Sequence, residues 1–105
     1  MGSVDTWAAL GDQTRRSILA RVVRQPGSVT DLARDLPVSR PAVSQHLGVL
    51  LRAGLVDVRP HGRQRIYSAR LDGLASLRGE LEAFWSEALR NLKRVAEDDY
   101  HHTGE

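Results

Sequence analysis

Apolar positions recur along this chain in two rhythms, one near 3.6 residues and one of two, and the changes of rhythm mark the elements. Between Val4 and Leu10, Trp7 and Leu10 stand three apart, which predicts a short helix ended by Gly11-Asp12. Asp12 suits the cap of a second helix to about Arg24. Its inward positions are Ile18, Leu19, Val22 and Val23, with Arg15, Arg16 and Arg21 facing elsewhere as a solvated basic face or as phosphate contacts. Gln25-Pro26-Gly27 reads as a turn and Ser28-Val29 as a minimal strand. Thr30 would then cap a third short helix over 31–35, with Leu32 and Leu36 inward.

The stretch from Val38 to Val56 has the clearest boundaries. Ser39 is a good N-cap, Pro41 falls in the first turn where a missing N–H costs nothing, and Gly54 suits a left-handed stop. Val43, Leu47 and Leu50 repeat at helical spacing, so a helix over 39–53 buries one face. Arg40, Ser44, Gln45, Gly48 and Arg52 are left outside. That outer face is polar and free of acid, and Ser, Gln and Arg are side chains that read base edges or hold phosphates. Two short helices in close succession, the second with such a face, make a helix-turn-helix.

Period two follows. Residues 55–59 and 64–69 read as strands around a Pro60-His61-Gly62 turn, with Ile66 and Ser68 on one side and Arg65 and Tyr67 on the other. A hairpin directly after a reading helix is a wing. Its tip carries His61, Arg63 and Arg65, suited to a phosphate backbone or minor groove; the plainer alternative is an ordinary charged tip. From Leu71 to about Ala96 the helical rhythm returns, with Leu74, Leu77, Leu81, Phe84, Trp85, Ala88, Leu92 and Val95 in one stripe. Burying each Leu or Phe is worth about 1.5–3 kcal/mol, so so many are not left in water. Either the stripe folds back on its own domain or, as we expect, it forms a homodimer interface with the Trp7 segment, through Trp7, Leu74, Leu77, Leu81, Phe84 and Trp85. Residues 97–105 are polar and are expected to fray.

The expected architecture is thus mainly α with a small hairpin: helix, helix, minimal strand, helix, helix, hairpin, long helix, in one domain of 105 residues. Charge then changes the picture. The net charge of +2 hides eleven Arg against four Asp between Gly11 and Arg70, and four bases against eight acids from Leu71 onward. The middle of the chain is the footprint of a nucleic-acid binder, and the last helix is excluded from that contact. With no cysteine, disulfides and thiolate metal sites are excluded and the cytoplasm is the simplest location. No apolar run approaches about 18 residues, and Asp5 interrupts any signal peptide at the start.

Leu10–Leu19 (LGDQTRRSIL), Ser28–Val56 (SVTDLARDLPVSRPAVSQHLGVLLRAGLV) and the wing Gly62–Tyr67 (GRQRIY) resemble the ArsR/SmtB family of bacterial winged-helix repressors over about Trp7 to Leu92. The Phe84-Trp85 pair is similar to a metal-independent subgroup. The resemblance implies a homodimer that represses by occupying an operator. It implies DNA-reading roles for Ser39, Arg40, Ser44, Gln45 and His46, and backbone-clamping roles for Arg63 and Arg65, with His61 beside them at the tip. Two features depart from many relatives. The third helix, Thr30–Asp35, has Arg34 in place of a Cys-x-Cys pair, and the last helix lacks the Asp-x-His and His-x-x-Glu/His ligands, so no metal site is expected. Gly48 stands where many relatives carry Lys, so the wing has more of the affinity to supply.

There is no Gly-rich phosphate loop, HExxH, carboxylate cluster or activated nucleophile, which argues against an enzyme and against a cofactor. His46 reads as a DNA contact or a helix–helix hydrogen bond, and His101 and His102 as solvated tail. The sequence therefore points to a homodimeric, sequence-specific repressor on an inverted repeat of double-stranded DNA. The alternatives are a small-molecule-responsive repressor with a pocket near Trp7, Phe84 or Trp85, and a winged-helix protein-interaction module without DNA binding; the basic wing argues against the second.

Overall fold

A computed structural model describes the backbone of residues 5–103 and the side chains of residues 5–98. The elements run α1 (Thr6–Ala9), α2 (Gln13–Arg24), α3 (Val29–Asp35), α4 (Arg40–Arg52), β1 (Val56–His61), β2 (Gln64–Ala69) and α5 (Leu71–Thr103). By its internal packing the chain forms two compact units, Met1–Leu74 and Ala75–Glu105.

Each helix of the first unit starts on a side-chain acceptor. The Asp5 carboxylate accepts from the Trp7 N–H at 3.2 Å, and that of Asp12 from the Arg15 N–H at 2.9 Å. The third helix begins earlier than Thr30. Ser28 is its N-cap, in a reciprocal capping box in which the Ser28 hydroxyl accepts from Asp31 N–H (3.1 Å) and the Asp31 carboxylate accepts from Ser28 N–H (3.0 Å). The expected strand at 28–29 is therefore helix, and only one residue before it pairs: Gly27 exchanges two backbone hydrogen bonds with Tyr67 (3.0 and 2.8 Å). The Ser39 hydroxyl caps α4 by accepting from Ala42 N–H at 3.3 Å, with Pro41 in the first turn.

The end of α4 is a Schellman stop. Gly54 takes φ +76°, its N–H donates to the Leu51 carbonyl (3.1 Å), and the Leu55 N–H reaches back to Leu50 (3.0 Å). Leu50 and Leu55, the pair such a stop brings together, are both fully buried. The core they join contains Ala9, Ile18, Leu19, Val22, Leu32, Val43, Leu47 and Val56, all within the first unit. Val23, expected inside, is 52% exposed. Arg21, expected outside, is only 6% exposed. Its Nε donates to the Asp35 carboxylate at 2.8 Å and an Nη donates to the Gln25 carbonyl. The charge is tolerated in the core because both ends of the guanidinium find acceptors.

The hairpin is antiparallel, with Val58 opposite Tyr67, Pro60 opposite Arg65 and His61 opposite Gln64. Its turn lies one residue later than expected: Gly62 and Arg63 occupy the two-residue loop, and Gly62 supplies φ +64°. Beyond Ala69 the Arg70 N–H donates to the Leu55 carbonyl at 2.9 Å and α5 begins. Gly73 lies so close to the α4–β1 turn that a Cβ there would fall 1.9 Å from the Gly54 carbonyl oxygen.

In the second unit α5 continues helical to Thr103, past the expected end near Ala96. An Arg78–Glu82 pair (3.0 Å, i,i+4) supports its polar side. No described side chain from Ala75 onward is buried, and Leu81, Phe84 and Trp85 are 40%, 60% and 54% exposed. Phe84 and Trp85 meet edge to face, centroids 5.9 Å apart. Among the described residues no helix is long and apolar enough to cross a membrane.

Candidate nucleic-acid interface

The spacing that buries Val43, Leu47 and Leu50 turns Arg40, Ser44, Gln45 and Arg52 outward, and all four are exposed. Ser39 is exposed too, but its hydroxyl oxygen is committed to the cap of its own helix. Gly48 is half-buried; a Cβ there would meet only the end of Arg52, at 3.5 Å, so the backbone has room for a side chain that this sequence omits.

On β2, Arg65 and Tyr67 share the face opposite to Ile66 and Ser68, as period two requires. Together with Arg63 and Gln64 they form one wall of a cleft of about 340 Å³. The other wall is Ser28, Val29 and Thr30 from the start of α3 and Ser44 of α4. The fold thus brings the expected Ser44, Arg63 and Arg65 together around one concavity. It adds Thr30, Gln64 and Tyr67, which nothing in sequence spacing joins to the reading helix. The link is the Gly27–Tyr67 bridge, which ties the turn before α3 to β2. His61 is exposed near the hairpin tip, one residue before the turn.

The arginines divide into two sets. Of the eleven between Gly11 and Arg70, five are committed to the protein. Arg21 pairs with Asp35, Arg34 with Asp31 at 3.3 Å, and Arg70 with Asp72 at 2.9 Å. Arg15 and Arg16 donate to the Ala9 and Leu10 carbonyls, at 3.1 and 2.7 Å; Arg15 is half-buried and Arg16 is exposed. The remaining six, Arg24, Arg40, Arg52, Arg59, Arg63 and Arg65, hold no hydrogen bond or salt bridge among the described residues. Five of those six lie on α4 or the hairpin. Acid is used to close the fold and is kept from the outer face of α4 and the wing tip.

His46 occupies the seam between α2 and α4. It is half-buried, and its Nδ1 accepts from the Arg15 Nε at 3.3 Å. Asp12 completes this corner: the Arg15 N–H, and after it the nearby Arg15 charge, hold its carboxyl below the ordinary aspartate value. Asp31 is likewise lowered, first by the Ser28 N–H and then by the Ser28 hydroxyl. No group of three or more His, Cys, Asp or Glu side chains able to hold a metal occurs among the described residues. His101 and His102 fall outside the described side chains.

A helix-turn-helix domain model matches residues 10–59. The chain is 50% identical over 93 residues to the HTH-type transcriptional regulator Rv2034 of Mycobacterium tuberculosis, covering 89% of this chain and 87% of that protein. It is 38% identical over 65 residues to the Biofilm growth-associated repressor of Agrobacterium fabrum, covering 62% and 56% of the two chains. Among solved structures, the ArsR-like transcriptional regulator from Rhodococcus sp. RHA1 superposes with a TM-score of 0.72 at 38% identity, over 85% of this chain and 84% of that one. Capped tri-helical core, hairpin wing and uncommitted arginines agree with these likenesses: the chain belongs to the ArsR/SmtB family of helix-turn-helix transcriptional regulators, which bind DNA and are not enzymes.

Proposed function

We propose that this protein is a homodimeric repressor that occupies an inverted-repeat operator and blocks polymerase by occupying its site, in the cytoplasm and without a metal inducer. The observation that carries the reading is the set of five uncommitted arginines on α4 and the hairpin, beside the exposed Ser44 and Gln45. Ser44 and Gln45 supply hydrogen bonds to base edges, and Gln can pair with adenine through two of them. Arg40, His46 and the capping Ser39 flank them at the start of the reading helix. Arg63 and Arg65, on the hairpin wall of the cleft, grip phosphate, with His61 near them at the tip. Two copies of α4 would enter successive major grooves, about 34–36 Å apart.

The dimer reading rests on α5. Leu77, Leu81, Phe84 and Trp85 cluster within about two turns, and a twofold contact pairs such a patch with itself. Trp7 of α1, which is exposed, and the half-buried Leu74 are the further apolar residues that this reading assigns to the dimer. Metal independence is supported by α3, where Arg34 is paired with Asp31 at a position in which a thiolate pair would be needed.

The test is a gel shift on the DNA fragment upstream of the protein's own gene, searched for an inverted repeat. Gln45→Ala is expected to weaken that complex by about 1–3 kcal/mol and to relax specificity at one base pair. Equal losses on operator and random DNA would remove the base-reading role from α4.

A further inference from the structure

Arg15 makes two side-chain bonds in opposite directions. One Nη donates to the Ala9 carbonyl at the end of α1, and Nε donates to His46 Nδ1 in the reading helix. Its own N–H is fixed on the Asp12 carboxylate at 2.9 Å. The residue is half-buried, so these bonds are partly shielded from water. A guanidinium has no acceptor and donates only. A nitrogen that accepts from it therefore carries no proton, and a neutral imidazole in that contact must hold its one proton on Nε2. A histidine free in solution has no such constraint.

From this geometry we infer that Arg15 is a positioning residue for DNA recognition: it locks His46 as an Nε2–H donor and ties that donor to the end of α1. The inference rests on the reading of α4 as the DNA-facing helix. Asp12 and Arg15 are the charged groups that meet His46 here, and both come from the N-terminal end of α2. His46 lies next to Gln45 in the sequence, so a fixed donor there adds a polarity to the reading face that Ser44 and Gln45, whose groups both donate and accept, do not impose. The partner it selects is an acceptor on a base edge, a purine N7 or O6.

Two measurements test this on the full chain. Ring nitrogen spectra of histidine-labelled protein without DNA, with the His46 signal assigned by its loss in His46→Gln, are expected to show one neutral tautomer, protonated on Nε2. In Arg15→Ala the same signal should move to the averaged position of an unconstrained ring. The second measurement compares His46→Asn, whose side-chain oxygen keeps an acceptor for Arg15 but whose shorter side chain lacks the outer donor. It should melt as the parent does, keep its affinity for random DNA, and lose about tenfold on the operator. A His46 ring that keeps the Nε2–H tautomer in Arg15→Ala, or a His46→Asn variant that binds operator as the parent does, would overturn the proposal. If Arg15→Ala fails to fold, His46→Asn, which leaves the Arg15–Ala9 contact in place, decides the matter. A parent protein that binds operator and random DNA alike would instead overturn the reading of α4, and the ring spectrum of the parent would still report whether the lock exists.

Discussion

The first 74 residues and the helix beyond them solve opposite problems. In the first unit α1 to α4 each start on a side-chain cap, the core is closed by ten buried apolar side chains, and the outer face of α4 and the hairpin tip carry arginine without acid. In the second, one described ion pair, Arg78–Glu82, and further acids stand on a helix whose apolar side chains are mostly exposed. The contrast separates two ways a small protein can be left incomplete. One surface lacks counter-charge and suits a polyanion; the other lacks apolar cover, and our proposal assigns it to a second copy.

The sharpest way to break this comparison is to put charge on the apolar side. Leu81→Glu would bury an unpaired carboxylate twice in a twofold interface, at a cost of several kcal/mol. The expected product sediments as a monomer at micromolar concentration and loses the operator where the parent is saturated. A variant that stays dimeric and still binds would remove α5 from the interface.

Next in size is a pair of glycine substitutions within the one helix α5. Gly73→Ala would place a methyl 1.9 Å from the Gly54 carbonyl oxygen, and overpacking of that kind costs about 1–3 kcal/mol. Gly79→Ala meets nothing within 4 Å and is expected to stabilise the helix by about 1 kcal/mol. Thermal melts of the two should shift in opposite directions; a shared sign would mean that the contact at Gly73 is not held in solution.

The charged surface is probed by Arg63→Ala, which should weaken specific and non-specific binding alike and reduce the slope of log K against log salt by about 1. An unchanged slope would take Arg63 off the phosphates. The smallest effect concerns acid. Asp12 and Asp31 have lowered values in the folded state, so they stabilise it above the unfolded aspartate value near about 3.9 and lose that contribution as pH falls through their folded values. Melting temperature should be level from neutral pH to about 5 and fall below about 4, less steeply in Asp12→Asn and Asp31→Asn, where the amide can still cap.

The sequence carried most of α4, because cap, proline, periodicity and terminal glycine all agreed there. It misplaced the start of α3, since Ser28 and Thr30 are both good caps and only the reciprocal bond to Asp31 decides between them. Arg21 could not be read at all: its partner Asp35 lies fourteen residues away, and helical position alone makes an arginine look solvated. That the candidate residues Ser44, Gln45, Arg63 and Arg65 stand exposed was legible from residue type and spacing. Thr30, Gln64 and Tyr67 were not, because their meeting depends on the Gly27–Tyr67 bridge across the fold. For His46 the sequence left a DNA contact and a helix–helix bond open, and the bond to Arg15 answers for one nitrogen only.

The six arginines that hold no partner among the described residues also bear on what the protein does between binding events. Like charges held on one small folded unit repel, so any polyanion that covers them is a ligand of the native state and raises its melting temperature by mass action. Bulk DNA is such a ligand at every sequence, and contacts made through phosphates let a protein slide along it. On the proposed reading, the number of copies needed to keep one operator filled would be governed by how much other DNA competes for the same arginines.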